Sequence, residues 1–217
     1  MRCVINNMMK NPWETINLED YENHMACDTV RQLQVLNEIM KAQLSDYSVS
    51  SVIILGIAGG NGLEHINEKK YAKVYGIDIN GDYINSVNQR YKSTLSHCLE
   101  CIKLDLLSEA ECLPKSEFVI ANLLIEYIGY TALKRAILHI NPIYFSCAIQ
   151  KNVREESWVS DTTYTHVFDE LETIHHQIDE DSLEDVMLEI GYKKIKQTDY
   201  VLPNGKKLIQ MDFKHFV

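Results

Sequence analysis

Basic residues are in short supply: 21 Lys and Arg stand against 31 Asp and Glu, a formal net charge of −10, and the basic ones form no visible cluster. Such a surface repels a polyanion, so nucleic acid is not an expected partner. Long apolar runs are missing too. No stretch reaches the 18 or more apolar residues of a membrane span, and the apolar start of "MRCVINNMMK" breaks off at Asn6 and Asn7, too short for a signal-peptide core. The expectation is a cytoplasmic protein with no membrane partner. Cysteine is sparse. Six residues (Cys3, Cys27, Cys98, Cys101, Cys112 and Cys147) spread over 217 positions, several of them in apolar runs, read as reduced core thiols. "HCLEC" (97–101) carries one Cys-x-x-Cys, with His97 and Cys112 as completing ligands, but a closed zinc site takes two such clusters. The expected metal content is none.

With 46% hydrophobic residues the chain can bury a full core, and its length fits one domain. There is no repeat and no low-complexity linker, although 151–163 ("KNVREESWVSDTT") is polar enough for a loop. Val30, Leu33, Leu36, Met40 and Leu44 recur at helical spacing, predicting one or two amphipathic helices over 18–45. Next come "SVIIL" (51–55) as a buried strand, a helix over 63–70, and "KVYGIDI" (73–79) as a second strand ending at Asp78. A helix follows from Asn80 to about His97, then strands "LECIKLDLL" (99–107), with Asp105 at its carboxyl end, and "EFVIANLL" (117–124). A helix over 130–139 leads to a fifth strand, "PIYFSCAIQ" (142–150). Strands alternating with helices argue for a parallel sheet covered on both faces. The end of the chain differs: a helix over 181–190, opened by Asp181 and Ser182 and stopped at Gly191, precedes two strand-like runs joined by Pro203-Asn204-Gly205. That turn signal makes the last two strands antiparallel neighbours.

Only nine glycines occur in the chain, and four of them fall within "GIAGGNG", residues 56–62. Glycines this dense after a strand let backbone approach a ligand closely. A phosphate-binding P-loop would need Gly-Lys followed by Ser or Thr, which this region lacks. The dinucleotide fingerprint G-x-G-x-x-G is broken in the frame from Gly56, with Ala58 and Asn61 where glycines belong, and in the frame from Gly60, where His65 takes the third glycine's place. A nicotinamide-dependent oxidoreductase is therefore disfavoured.

The run Gly56-Ile57-Ala58-Gly59-Gly60-Asn61-Gly62, with Asp78 ending the second strand, Asp105 ending the third and an antiparallel hairpin at the end, resembles the class I S-adenosylmethionine-dependent methyltransferase family from about Ser50 to Val217. The resemblance implies a Rossmann-like α/β sheet of seven strands, mostly parallel, with helices on both faces. It divides the chain into an N-terminal helical lid segment (1–48) and the methyltransferase domain (49–217). It further implies S-adenosylmethionine as cofactor and S-adenosylhomocysteine as product. Asp78, with Ile79 beside it, would accept from the ribose hydroxyls. The glycine loop would pass under the amino acid portion, Asp105 and Leu106 would meet the adenine, and Asn122, Leu123 and Leu124 would line the methionine side. Two positions depart from the family: Ile54 stands where an acidic residue is usual, and Ala58 replaces the middle glycine.

Methyl transfer from a sulfonium is an in-line displacement on an already activated donor, so no single catalytic residue is required, and a base is needed only for an acceptor that must lose a proton. Acceptor-side candidates are Glu126 and Tyr127 after strand four, Gln150, Tyr164 and His166 after strand five, and Tyr21 and His24 before strand one. His24 could equally be a satisfied helix histidine and Tyr21 a core residue. His175 and His176, adjacent in a helix-like stretch, cannot share a side to bind a metal. "NPIY" (141–144) resembles the Asn-Pro-Pro-Tyr motif of amino-group methylases but precedes strand five instead of following strand four, which argues against base or amide methylation. The expected function is methyl transfer to a small-molecule acceptor by a monomer or homodimer. The alternatives are a protein methyltransferase and a non-catalytic module that binds the cofactor.

Overall fold

The computed structural model describes residues 10–152, 159–160 and 162–216. Of the polar 151–163 stretch, residues 153–158 and 161 lie outside the described residues, as does Cys3. Seven strands form one sheet: β1 (Ser51–Leu55), β2 (Lys73–Asp78), β3 (Leu99–Lys103), β4 (Phe118–Asn122), β5 (Tyr144–Lys151), β6 (Tyr192–Val201) and β7 (Lys207–His215), in the order β3-β2-β1-β4-β5-β7-β6. The first five are parallel, and β7 runs antiparallel to both β5 and β6. The expected mostly parallel sheet with a terminal hairpin is present, with Gly205 at φ +82° in the turn.

Alternate residues of the central strands serve two layers, the period-two consequence of the pleat. Ile53, Leu55, Val119 and Ala121 face one core with α4 (Ile125–Ile140) and α5 (Glu180–Glu189), which contribute Leu133, Ile137, Leu183 and Met187. Val52, Ile54, Phe118 and Ile120 face the other, under α2 (Gln32–Asp46) and α3 (Gly81–Tyr91), which add Met40, Leu44, Ile84 and Val87. The remaining helix, α1 (Leu18–Ala26), supplies Met25 to a smaller cluster with Leu36, Ile39 and Leu208. No helix among the described residues is long and apolar enough to cross a membrane.

Several sequence expectations need correction. The helix expected over 63–70 is only a 3-10 turn, Leu63–His65. The sheet face it would cover is taken by α2, whose last turn is tied down by Lys70 Nζ and Tyr71 OH, both donating to the Leu44 carbonyl at 2.6 and 2.9 Å. Helix α5 is capped by Asp179, which accepts from the Ser182 N–H at 2.9 Å; Asp181 and Ser182 already lie inside the helix. His175 and His176 sit in irregular chain after the 3-10 run Thr165–Thr173, not in a helix. Cys98 and Cys147 are buried, but Cys112 is exposed and therefore no core thiol. Among the described residues no group of His, Cys, Asp and Glu is arranged to hold a metal ion; His97 lies beside Glu68 at 3.6 Å.

Candidate functional site

The strand order reverses between β1 and β4, so the loops leaving their carboxyl ends diverge and open a crevice there, as in other open α/β sheets. The glycine loop fills one side of it. Gly56, Ala58, Gly60 and Gly62 all have positive φ, from +45° to +89°. Ala58 is thus a non-glycine residue in the left-handed region, a conformation that costs a side chain about 1–2 kcal/mol. Its N–H donates to Asp78 Oδ2 at 2.9 Å, and the Asn80 N–H donates to Oδ1 at 2.9 Å. Burial pushes the Asp78 carboxyl up, opposed by these amide donors. From α3, Arg90 donates to the Gly59 carbonyl at 2.9 Å and Tyr91 OH to that of Gly60 at 2.9 Å. Arg90 also makes a two-pronged pair with Glu22 of α1. The loop is clasped from both sides. Ile54 is 4% exposed and packed in the core under α2 and α3, which explains an apolar residue at that position.

Three adjoining clefts line this crevice. The first, about 700 Å³, has Asp78 and Ile79 with Gly56 and Ala58 at one end, Asp105, Leu106, Leu124 and Ile128 along a wall, and Trp13, Tyr21 and Tyr127 over it. Two buried donors there, Trp13 Nε1 and Tyr83 OH, have no hydrogen-bond partner among the described residues. Asp105 lies two residues past β3, and its oxygens already accept from the Leu107 N–H at 2.9 Å and the Ser108 hydroxyl at 2.8 Å, so it forms a turn as well as lining the cleft. The second cleft, about 530 Å³, shares Trp13, Tyr21, Leu123 and Tyr127 with the first and continues to His24, Glu126 and Phe168. The third, about 520 Å³, runs between the loop residues Gly56 to Gly59 and Glu22, Leu33 and Met40 of the amino-terminal helices. Leu123, with φ +52°, turns the chain at the end of β4 between the first two. It and Ala58 are side chains held in a rarely populated backbone region, and both line the crevice.

Asn122 does not point freely into the crevice. It exchanges amide hydrogen bonds with Gln43 of α2, both at 2.9 Å, and Gln43 continues to the Ser146 hydroxyl at 2.8 Å. Asn61 donates to the Leu33 carbonyl at 2.8 Å, while Gly62 lies against Met40, whose Cγ would be 2.5 Å from an added Cβ. Asn61 and Gly62 hold α2 to the loop.

Of the acceptor-side candidates, Tyr21, His24, Glu126 and Tyr127 come together. Glu126 and Tyr127 lie in the first turn of α4, set off from the rest by Gly129 at φ +67° and ψ 173°. Glu126 is 4% exposed, and burial raises its carboxyl to about 7. His24 donates to or accepts from the Thr162 hydroxyl at 2.8 Å, and burial, with Lys206 nearby, lowers its imidazole to about 4. Burial raises both Tyr21 and Tyr127. Gln150 lines the second cleft, accepting from Gln32 Nε2 at 2.5 Å. Tyr164 and His166 line none of the three clefts; the His166 side chain is 94% exposed beside Asp169. Trp13, Glu22, Tyr83, Phe168 and His175 were not expected. Each reaches the crevice from a segment with no local motif, so only the fold reveals it.

No protein-family model matches the chain, and no curated protein matches it. Solved structures do match in fold. The magnesium protoporphyrin IX methyltransferase ChlM from Synechocystis PCC 6803, with S-adenosylhomocysteine bound, aligns over 94% of this chain and 96% of its own with a TM-score of 0.65 and 11% identity. The N-methyltransferase NodS from Bradyrhizobium japonicum WM9, also with S-adenosylhomocysteine, aligns over 95% and 99% with 0.63 and 14%. The [4+2]-cyclase SpnF aligns over 90% and 85% with 0.65 and 10%. The chain has the class I S-adenosylmethionine-dependent methyltransferase fold.

Proposed function

We propose that the protein binds S-adenosylmethionine in this crevice and transfers its methyl group to a small-molecule acceptor, releasing S-adenosylhomocysteine. One observation carries the reading. The buried Asp78 carboxylate stands at the carboxyl end of β2, beside a left-handed glycine loop, with one backbone N–H on each oxygen. A carboxylate oxygen can accept a second bond, so both remain able to take a ribose hydroxyl. Tyr83 OH and Trp13 Nε1, which have no partner among the described residues, would be satisfied by a ligand rich in oxygen and nitrogen acceptors. Leu106, Leu124 and Ile128 suit the faces of a purine, and the cleft beside Gly56 to Gly59 suits the amino acid end. There Glu22, which touches the loop from α1, offers the carboxylate that position 54 lacks. Bound in this way, the cofactor supplies a methyl group activated by a sulfonium.

The chain's own work is to hold the acceptor at attack distance and keep water away. The second cleft, walled by Trp13, Tyr21, Tyr127 and Phe168, suits that role, and the 12–26 segment acts as its cover. A half-open cleft walled by these aromatic rings favours a small acceptor over a protein one. Ile54 and Ala58 favour a second reading, a module that binds the cofactor without methylating, and the cyclase among the structural neighbours shows that the fold does not dictate methyl transfer. Calorimetric titration of S-adenosylmethionine, S-adenosylhomocysteine and NAD tests the first step. Both sulfur ligands should bind, NAD should not, and Asp78→Asn should weaken binding about ten-fold or more. A folded protein that binds neither sulfur ligand ends the proposal. Cofactor binding with no S-adenosylhomocysteine formed from any acceptor in a screen leaves the binding-module reading standing.

A further inference from the structure

Glu126 is an unusual residue to find at this depth. Its Oε1 accepts from the Gln150 N–H at 2.9 Å, while its Oε2 is buried with no hydrogen-bond partner among the described residues. An ionised carboxylate held this way forfeits its hydration for backbone N–H donors on one oxygen alone, which leaves Oε2 uncompensated. The residue is nevertheless fixed firmly. The His176 N–H donates to the Glu126 carbonyl at 2.6 Å, and the kink at Gly129 admits His176 close enough to lie 3.3 Å from an added Cβ.

Around it, the second cleft presents aromatic faces. Trp13 packs edge-on against both Tyr21 and Tyr127, with centroids 5.8 and 4.9 Å apart, and Phe168 lies 4.6 Å from the His24 ring. Among the described residues no lysine or arginine lines the cleft, and Glu126 is the one carboxylate that does. The two histidines that line it, His24 and His175, are both held below the ordinary imidazole range by burial, so neither competes as a cation at neutral pH.

We propose that the second cleft is a binding site for a small primary or secondary amine on an apolar carbon skeleton, with Glu126 Oε2 as the group that receives the ammonium and takes one of its protons. The assignment rests on the proposed function in that this amine would be the methyl acceptor. An ammonium offers several donors and a compensating charge to the orphan oxygen, and its carbon stem and charge both suit aromatic faces. An alcohol offers one donor and no charge. A carboxylate or phosphate is repelled. In the proton step an N–H bond of the ammonium breaks, its electron pair stays on nitrogen as a lone pair, and an O–H bond forms at Oε2. A charged pair becomes a neutral acid and a neutral, nucleophilic amine, the direction that a poorly solvated site favours. Among the described residues the other titratable groups close to Glu126 are Tyr127 and Tyr130 on α4, Cys147 on β5, Tyr21 and His24 on α1, and His175, all neutral at pH 7; the buried cation Lys206 lies beyond them, beside His24.

The test uses butyl, benzyl and 2-phenylethyl skeletons, each as amine, alcohol and carboxylate, titrated calorimetrically into the full chain saturated with S-adenosylhomocysteine. At least one skeleton should bind as the amine about ten-fold or more tightly than as the alcohol, and the carboxylates should not bind. Glu126→Gln should abolish that preference, and Glu126→Asp should restore part of it. Measured in two buffers of different ionisation enthalpy, amine binding at pH 7 should release protons in the wild type and not in Glu126→Gln. Equal binding of amine and alcohol, binding of none of the nine compounds, or a preference that survives Glu126→Gln overturns the assignment. Failure of S-adenosylhomocysteine to bind the wild type in the preceding titration strikes the proposed function instead.

Discussion

The buried carboxylate of Glu126 makes a prediction about stability that requires no ligand. Its ordinary value of 4.5 rises to about 7 in the fold, so between these values the folded chain holds a proton that the unfolded chain has released. Folding stability from this group therefore falls as pH rises through that window and stays reduced above it. At about 1.4 kcal/mol per pH unit the whole loss is about 3 kcal/mol. His24 works in the opposite direction. Its imidazole drops from 6.5 to about 4, so the unfolded chain binds a proton that the folded one refuses, and stability rises between about pH 4 and 6.5. Allowing for partial solvent screening, this gain is about 2 kcal/mol. The two slopes overlap and partly cancel in the wild type. Glu126→Gln keeps the acceptor for the Gln150 N–H and removes the ionisation, so it should uncover the histidine slope. Urea denaturation from pH 4.5 to 8.5 checks this. The stability of Glu126→Gln minus wild type should become more favourable by about 3 kcal/mol across the series, almost all of it before pH 7.5. A difference that is flat with pH would refute the reasoning, whatever its absolute value, because only a Glu126 solvated well enough to keep its ordinary value gives no slope.

Other expectations follow from single contacts. Ala58→Gly should leave the fold intact and raise its stability by up to about 1 kcal/mol, the left-handed strain relieved less the added freedom of glycine in the unfolded chain; thermal denaturation measures it. Gly62→Ala should destabilise by about 2 kcal/mol or more in the same assay, since its φ is +89° and an added Cβ would lie 2.5 Å from Met40 Cγ. Tyr47→Phe should cost about 1–3 kcal/mol in urea, because Asp212, fully buried, loses the phenol donor at 2.6 Å and is left with Ser146 and Gln210 among the described residues. Arg90→Ala should leave Glu22 unpaired and loosen α1 from the glycine loop, read as faster amide hydrogen exchange at Gly59 and Gly60 with little change in sheet protection.

Much of the molecule was written locally. "SVIIL" and "FVIAN" are apolar on both faces, as only strands covered on both sides need be, and their alternate residues feed the two cores. Pro203-Asn204-Gly205 fixes a turn, and with it the antiparallel pair that ends the sheet. The glycine loop and Asp78 are legible because backbone conformation and a carboxylate after a strand are properties of a few adjacent residues. The missing helix after the loop was not legible: its place is occupied by α2, which precedes β1 in the chain, and no local pattern records that competition. The same holds for the site's second half. Trp13, His24, Glu126, Phe168 and His175 lie on four separate segments, and His24 and Glu126 alone gave no sign of sharing a cleft, while His166, equally plausible by sequence, points to solvent. Residue type and periodicity determined the sheet, its cover and the loop, since those follow from short-range sterics and burial. Only the packing of α1 and α4 over the crevice decided which polar groups lose water together, and so which carboxylate carries an unpaired oxygen.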